Sequence, residues 1–106
     1  MLEERLVMKL SNAQKRHLRS LGHHLDPVVQ LGKKGITEGL TEATDVALTT
    51  HELIKIKCGS ECPVSREEVG EQLSQQLKAL LVQTLGGTVL LYRRHPQKPK
   101  IKLPRA

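Results

Sequence analysis

Apolar positions recur along the chain with two periods, and where the period switches, the elements change. Ser11 with Gln14 three residues later has capping-box spacing, and Leu18 and Leu21 mark one side of a helix over Ser11–Leu21. Lys15, Arg16 and Arg19 fall on the other side, and Gly22 stands where such a helix stops. A strand, "PVVQL", follows from Pro27 and ends at Gly32. Thr37 then opens a second helix, expected to about Thr50, with Ile36, Leu40, Ala43 and Ala47 on one stripe. "LIKIKC" (53–58) alternates apolar and basic residues, as a half-exposed strand does, and puts Lys55 and Lys57 on one face. Ser65 with Glu68 repeats the capping box, and Val69, Leu73 and Leu77 stripe a third helix that ends near Lys78. "LLVQTL-GG-TVLLYRR" reads as two strands around a Gly-Gly turn, closed by His95-Pro96.

The order is helix-strand-helix-strand-helix-strand-strand. Two β-α-β units and a hairpin predict an α/β fold: a single two-layer domain with a four-stranded mixed sheet. The expected division is an N-terminal extension (1–9), a domain (10–96) and a basic tail (97–106), extended, with "IKL" along an edge. A chain of 106 residues suits one domain and needs neither disulfide nor metal to fold.

Charge changes the picture more than length does. Residues 1–34 hold seven Lys/Arg and three Asp/Glu, net +4; residues 35–71 hold three and eight, net −5; residues 72–106 hold seven and none, net +7. Such blocks predict one basic and one acidic surface. A basic surface on a small protein points to nucleic acid, RNA above all. Tyr92 is the one aromatic residue, with no Phe or Trp, which argues against modules that stack bases on rings. Backbone groups and cations must then carry any RNA contact. "MLEERLVMKL" makes a poor signal peptide, and two cysteines fit a reducing, cytoplasmic setting. No apolar run suggests a membrane span.

The stretch "VVQLGKKGITEGL" concentrates the candidate chemistry. Gly32, Lys33, Lys34 and Gly35 leave a strand and enter a helix whose first amides lack intrahelical partners. Glycines admit a phosphodiester closely, the lysines add charge, and the helix start favours an anion, so a nucleic-acid phosphate is the natural occupant. It is not a Walker loop, since the spacing and the following Ser/Thr are missing. Lys15, Arg16 and Arg19 supply a second half of the same surface. Lys55 and Lys57 protect a sheet face or edge, or join it. Arg93 and Arg94 point to opposite faces of the last strand.

Other groups read more plainly. Cys58 and Cys62, spaced C-x3-C, lack the further ligands of a zinc site and are two reduced thiols near a strand end. His23 and His24 are surface histidines. The acids 38, 42, 45 and 52 form a solvated helix face. Tyr92 packs over the sheet with its hydroxyl toward polar surroundings.

"LSNAQKRHLRSLGHHLDPVVQLGKKGITEGL", "HELIKIKCG", "GGTVLLYRR" and the closing "KIKLPR" together resemble the CRM domain, named for chloroplast RNA splicing and ribosome maturation, in its stand-alone bacterial YhbY-type form. The resemblance implies a fold like the C-terminal domain of bacterial translation initiation factor three. It implies RNA binding, and association with 23S rRNA in precursors of the large ribosomal subunit; no catalysis is expected, since no nucleophile–base–orienter set is visible in the sequence, and no cofactor. It carries the G-x-x-G loop onto Gly32–Gly35 and the basic first-helix positions onto Lys15, Arg16 and Arg19. The expected state is a monomer with no small-molecule substrate. Two rival readings are a small RNA-processing enzyme using His23 or His24, and a protein-interaction adaptor using the acidic helix 37–50.

Overall fold

The computed structural model describes residues 10–105. Residues 1–9, the expected extension and the stretch weighed as a signal peptide, lie outside the described residues. Among the described residues, three helices and four strands follow in the expected order: α1 (Asn12–Gly22), β1 (Pro27–Leu31), α2 (Glu38–His51), β2 (Leu53–Cys58), α3 (Arg66–Leu77), β3 (Leu80–Leu85) and β4 (Thr88–Tyr92). One mixed sheet runs in the order β1-β2-β4-β3, with β1 and β2 parallel and the other pairs antiparallel. The parallel pair exists because α2 returns the chain between β1 and β2.

Each helix starts where its cap dictates. The Ser11 hydroxyl accepts from the Gln14 amide at 3.1 Å while the Gln14 side chain accepts from the Ser11 amide at 3.0 Å. Thr37 and Ser65 accept the Leu40 and Glu68 amides in the same way. α3 ends with Lys78 in the left-handed region at φ 54°, and the next strand begins two residues later. The Gly86-Gly87 turn joins β3 to β4, with Gly86 at φ 59°.

The layering exceeds the two layers expected. α2 and α3 cover one face of the sheet, where Val29, Leu31, Ile54, Ile56, Val89 and Leu91 meet Leu48, Val69 and Leu73. α1 lies on the opposite face, where Leu18 packs on Leu53, Val82, Leu90 and Tyr92. β4 explains the second cover: in "TVLLY" the residues Val89, Leu90, Leu91 and Tyr92 are all buried, so both faces of that strand must be hidden from water. Gly22 lets α1 come close. A Cβ there would lie 2.6 Å from Leu90 Cδ2, so the glycine expected as a helix stop serves as a packing surface, and His23 forms the cap.

The tail docks on the body instead of lying along a sheet edge. Glu52, expected on a solvated helix face, sits one residue past α2 at φ 65° and is fully buried. Its carboxylate accepts the backbone amides of His95 (2.7 Å), Lys100 (2.6 Å) and Ile101 (2.8 Å). Ile101 and Leu103 thereby pack against the α1-side core, and Gln14 donates to the Pro104 carbonyl at 2.9 Å. Burial alone would raise the Glu52 pKa. The three amide bonds and the nearby His95 outweigh it and hold the carboxyl below its ordinary value.

Candidate nucleic-acid interface

α1 covers only part of the second sheet face, and the part it leaves open carries lysine. On β2, Leu53 lies under α1 while Lys55 is half-buried and Lys57 exposed on the same side. Across the strands, Lys57 stands opposite Gln30 of β1 and Thr88 of β4. Gln30, Lys57 and Thr88 thus form a polar row at the end of the sheet from which β1 and β2 exit.

The Gly32–Gly35 loop leaves that same end of β1. It is a turn closed by the Gly35 amide on the Gly32 carbonyl at 3.0 Å, with Lys33 and Lys34 exposed at its tip. The row of Lys57 and Gln30 is two residues back from Gly32, roughly 7 Å along the strand. The two glycines do different work. A Cβ on Gly32 would meet nothing within 4 Å, so that side of the turn is open. Gly35 is at φ 64°, and a Cβ there would press on Pro63 and Val64 at 3.2 and 3.3 Å. Gly32 leaves room for a ligand, whereas Gly35 makes the turn and seats it on the 59–64 loop. Gly35→Ala should therefore cost about 1–2 kcal/mol of stability, while Gly32→Ala should stay within about 0.5 kcal/mol; urea denaturation of both variants checks the contrast.

The helix start contributes less than its position suggests. Thr37 already occupies the Leu40 amide, and Glu38 places a carboxylate in the first turn. Any positive potential at the loop therefore comes mainly from lysine. Lys33 approaches Glu61 at 4.0 Å with both side chains exposed, a weak pairing that leaves the ammonium accessible.

Lys15, Arg16 and Arg19 lie on the same broad face as this row but not beside the loop. Leu21 of α1 lines an apolar groove with Val28 and Leu53, so its side of the helix is turned toward β1 and β2. At 100° per residue, Lys15 and Arg19 lie beyond Leu18 and Gly22 on the other side, over β4 and β3, and Arg16 points outward. The helix cations and the loop cations are two groups, with Lys55 and Lys57 on the floor between them. Alternation in "LIKIKC" could place the two lysines on one face, but only the position of α1 shows that this face is open.

The remaining polar groups are placed elsewhere. Arg93 is committed to structure: it bonds Asp45 Oδ1 at 2.7 Å, the Leu77 and Asp45 carbonyls, and Thr49 Oγ1. Glu38 and Glu42 line a groove with Gln72 and Gln76 on the α2–α3 side, the acidic side of the molecule. His23 borders a small recess of about 30 Å³ with Lys55, Gln83 and Thr88, while His24 borders the apolar groove, so the two imidazoles open onto different recesses. Cys58 and Cys62 are free thiols packed against the α2–α3 core; burial, and then the neighbouring Cys62, push the Cys58 thiol up.

Comparison with known proteins gives this face a context. The family described as the CRS1 / YhbY (CRM) domain matches residues 10–93. The "Probable RNA-binding protein YqeI" of Bacillus subtilis is 38% identical over 95 residues, covering 90% of this chain and 99% of that protein. An "RNA-binding protein" of Haemophilus influenzae is 42% identical over 96 residues, covering 91% and 96%. The solution structure of SAV1595 from Staphylococcus aureus superposes with a TM-score of 0.77 at 38% identity, covering 91% of this chain and all of that one.

Proposed function

Because the chain belongs to the CRS1 / YhbY (CRM) domain family, we propose that it is an RNA-binding protein, and that it grips ribosomal RNA phosphates with the Gly32–Gly35 loop and the basic face beside it. One observation carries the reading: the turn presents Lys33 and Lys34 at its tip with nothing within 4 Å of the Gly32 Cβ direction. A phosphate can approach the backbone there and meet two ammonium groups. The segregation of acid to the α2–α3 side orients the molecule, because RNA is repelled from one side and drawn to the other. The relatives named as RNA-binding support the ligand class.

The finer reading is a cytoplasmic, monomeric protein that associates with 23S rRNA in precursors of the large ribosomal subunit and does no chemistry on it. Sedimentation of cell lysates tests the association. The protein should travel with large-subunit precursors and be absent from mature subunits; its exclusive presence in ribosome-free fractions would end this reading. Incubation with labelled ribosomal RNA tests the chemistry. The RNA should stay intact with the unmutated protein and with His23→Ala/His24→Ala alike, and cleavage by the unmutated protein alone would make it an enzyme.

A further inference from the structure

We propose that the open half of the second sheet face, floored by Lys55 and Lys57, takes base-paired RNA, with one phosphate row held at the Gly32–Gly35 loop and another toward the basic flank of α1. The inference rests on the RNA-binding reading above and adds the form of RNA and two residues that touch it.

Three observations converge. First, Tyr92, the one aromatic residue of the chain, is 1% exposed beneath α1, so the face offers no tyrosine, phenylalanine or tryptophan platform for an unstacked base. Many single-strand modules stack splayed bases on such platforms, whereas a duplex keeps its bases stacked and shows phosphates and 2′-hydroxyls. Second, the row of the face nearest the loop is Gln30, Lys57 and Thr88, donors and acceptors suited to phosphate and ribose rather than to a base plane, while Lys55 lies one row in, at the border of the apolar groove of Leu21, Val28 and Leu53. Third, the cations are spread and not clustered. Lys33 and Lys34 lie beyond β1, and Lys15, Arg16 and Arg19 lie on the far flank of α1, with the sheet width between them. At roughly 4.8 Å per strand, that separation is well over 10 Å. A single strand crossing it would leave its bases without partners on the floor. A duplex laid across it presents two phosphate rows, and with its shallow minor groove toward the floor, Lys55 and Lys57 reach the phosphates that border that groove.

The probes are a short RNA duplex of arbitrary sequence and one of its strands alone, chosen not to fold on itself. The proteins are the unmutated chain, Lys57→Gln, and Lys55→Gln/Lys57→Gln; Lys57 is exposed, so its single variant folds in any case. The duplex should bind more tightly than the strand. The double variant should flatten the duplex salt slope by about 1.4–1.8, from roughly 0.7–0.9 per lost phosphate contact. Changing the base sequence of the duplex should alter little, since phosphate contacts carry no base identity. Tighter binding of the single strand would overturn the duplex assignment and point to stacking on His23, His24 or the arginines. An unchanged duplex slope in both variants would remove the sheet floor from the interface. Failure of the unmutated protein to bind either RNA would instead overturn the RNA-binding reading itself.

Discussion

Glu52→Ala should lower the stability of the protein by about 3 kcal/mol or more, measured by urea denaturation. The substitution removes three part-buried hydrogen bonds to a charged acceptor, from the His95, Lys100 and Ile101 amides, and each such bond contributes about 1.5–3 kcal/mol. Glu52→Gln keeps one acceptor oxygen and should fall between. The pH dependence has a definite sign. The Glu52 carboxyl is held below its ordinary 4.5 in the fold, so it stabilises the protein above that pH, and the stabilisation is lost as the pH falls through the folded value. The gap in stability between the unmutated protein and Glu52→Gln should therefore hold from neutrality to about pH 5 and narrow in more acid solution. A gap that widened on acidification would mean that the three amides do not depress the carboxyl. In either variant the amides of His95, Lys100 and Ile101 should exchange their hydrogens faster, because Glu52 is their acceptor.

Lys33→Ala/Lys34→Ala should weaken RNA binding roughly 25-fold at 0.1 M salt, taking about 0.7 from the salt slope for each lost contact. Gly32→Asp should do more than Lys33→Ala alone. It puts a Cβ and a negative charge on the open side of the turn, where the phosphate is placed. Gly35→Asp is the poorer probe, since at φ 64° against Pro63 and Val64 it disturbs the fold as well as the charge. Circular dichroism of Gly32→Asp should match the unmutated protein, because no atom stands within 4 Å of its Cβ position.

Features with a local cause were legible from the sequence. The capping box at Ser11, the Thr37 and Ser65 caps, the Gly-Gly hairpin and the end of α3 at Lys78 are each set within a few residues and found where expected, although at Ser65 only the hydroxyl half of the expected capping box forms. The Gly32–Gly35 turn was legible for the same reason. What escaped depends on residues far apart in the chain. Glu52 belongs by spacing to an acidic helical series, and only its place one residue past α2, at positive φ, turns it inward to meet a tail almost fifty residues away. The position of α1 escaped because Leu18 and Gly22 say that the helix packs, but not on which face of the sheet. That face in turn decides the meaning of the lysines. Helix and loop cations look adjacent in the sequence, yet the sheet sets them apart and brings Lys55 and Lys57 between.

The most direct test of the loop as the phosphate site is the slope of log affinity against log salt for ribosomal RNA, measured for the unmutated protein and for Lys33→Ala/Lys34→Ala. Five contacts, from Lys15, Arg16, Arg19, Lys33 and Lys34, give a slope of about −3.5, and more if Lys55 and Lys57 also touch phosphate. The double variant should flatten it by about 1.4, for any RNA sequence. A double variant with an intact fold and the original slope would contradict the account, because the lysines at the tip of the turn would then touch no phosphate.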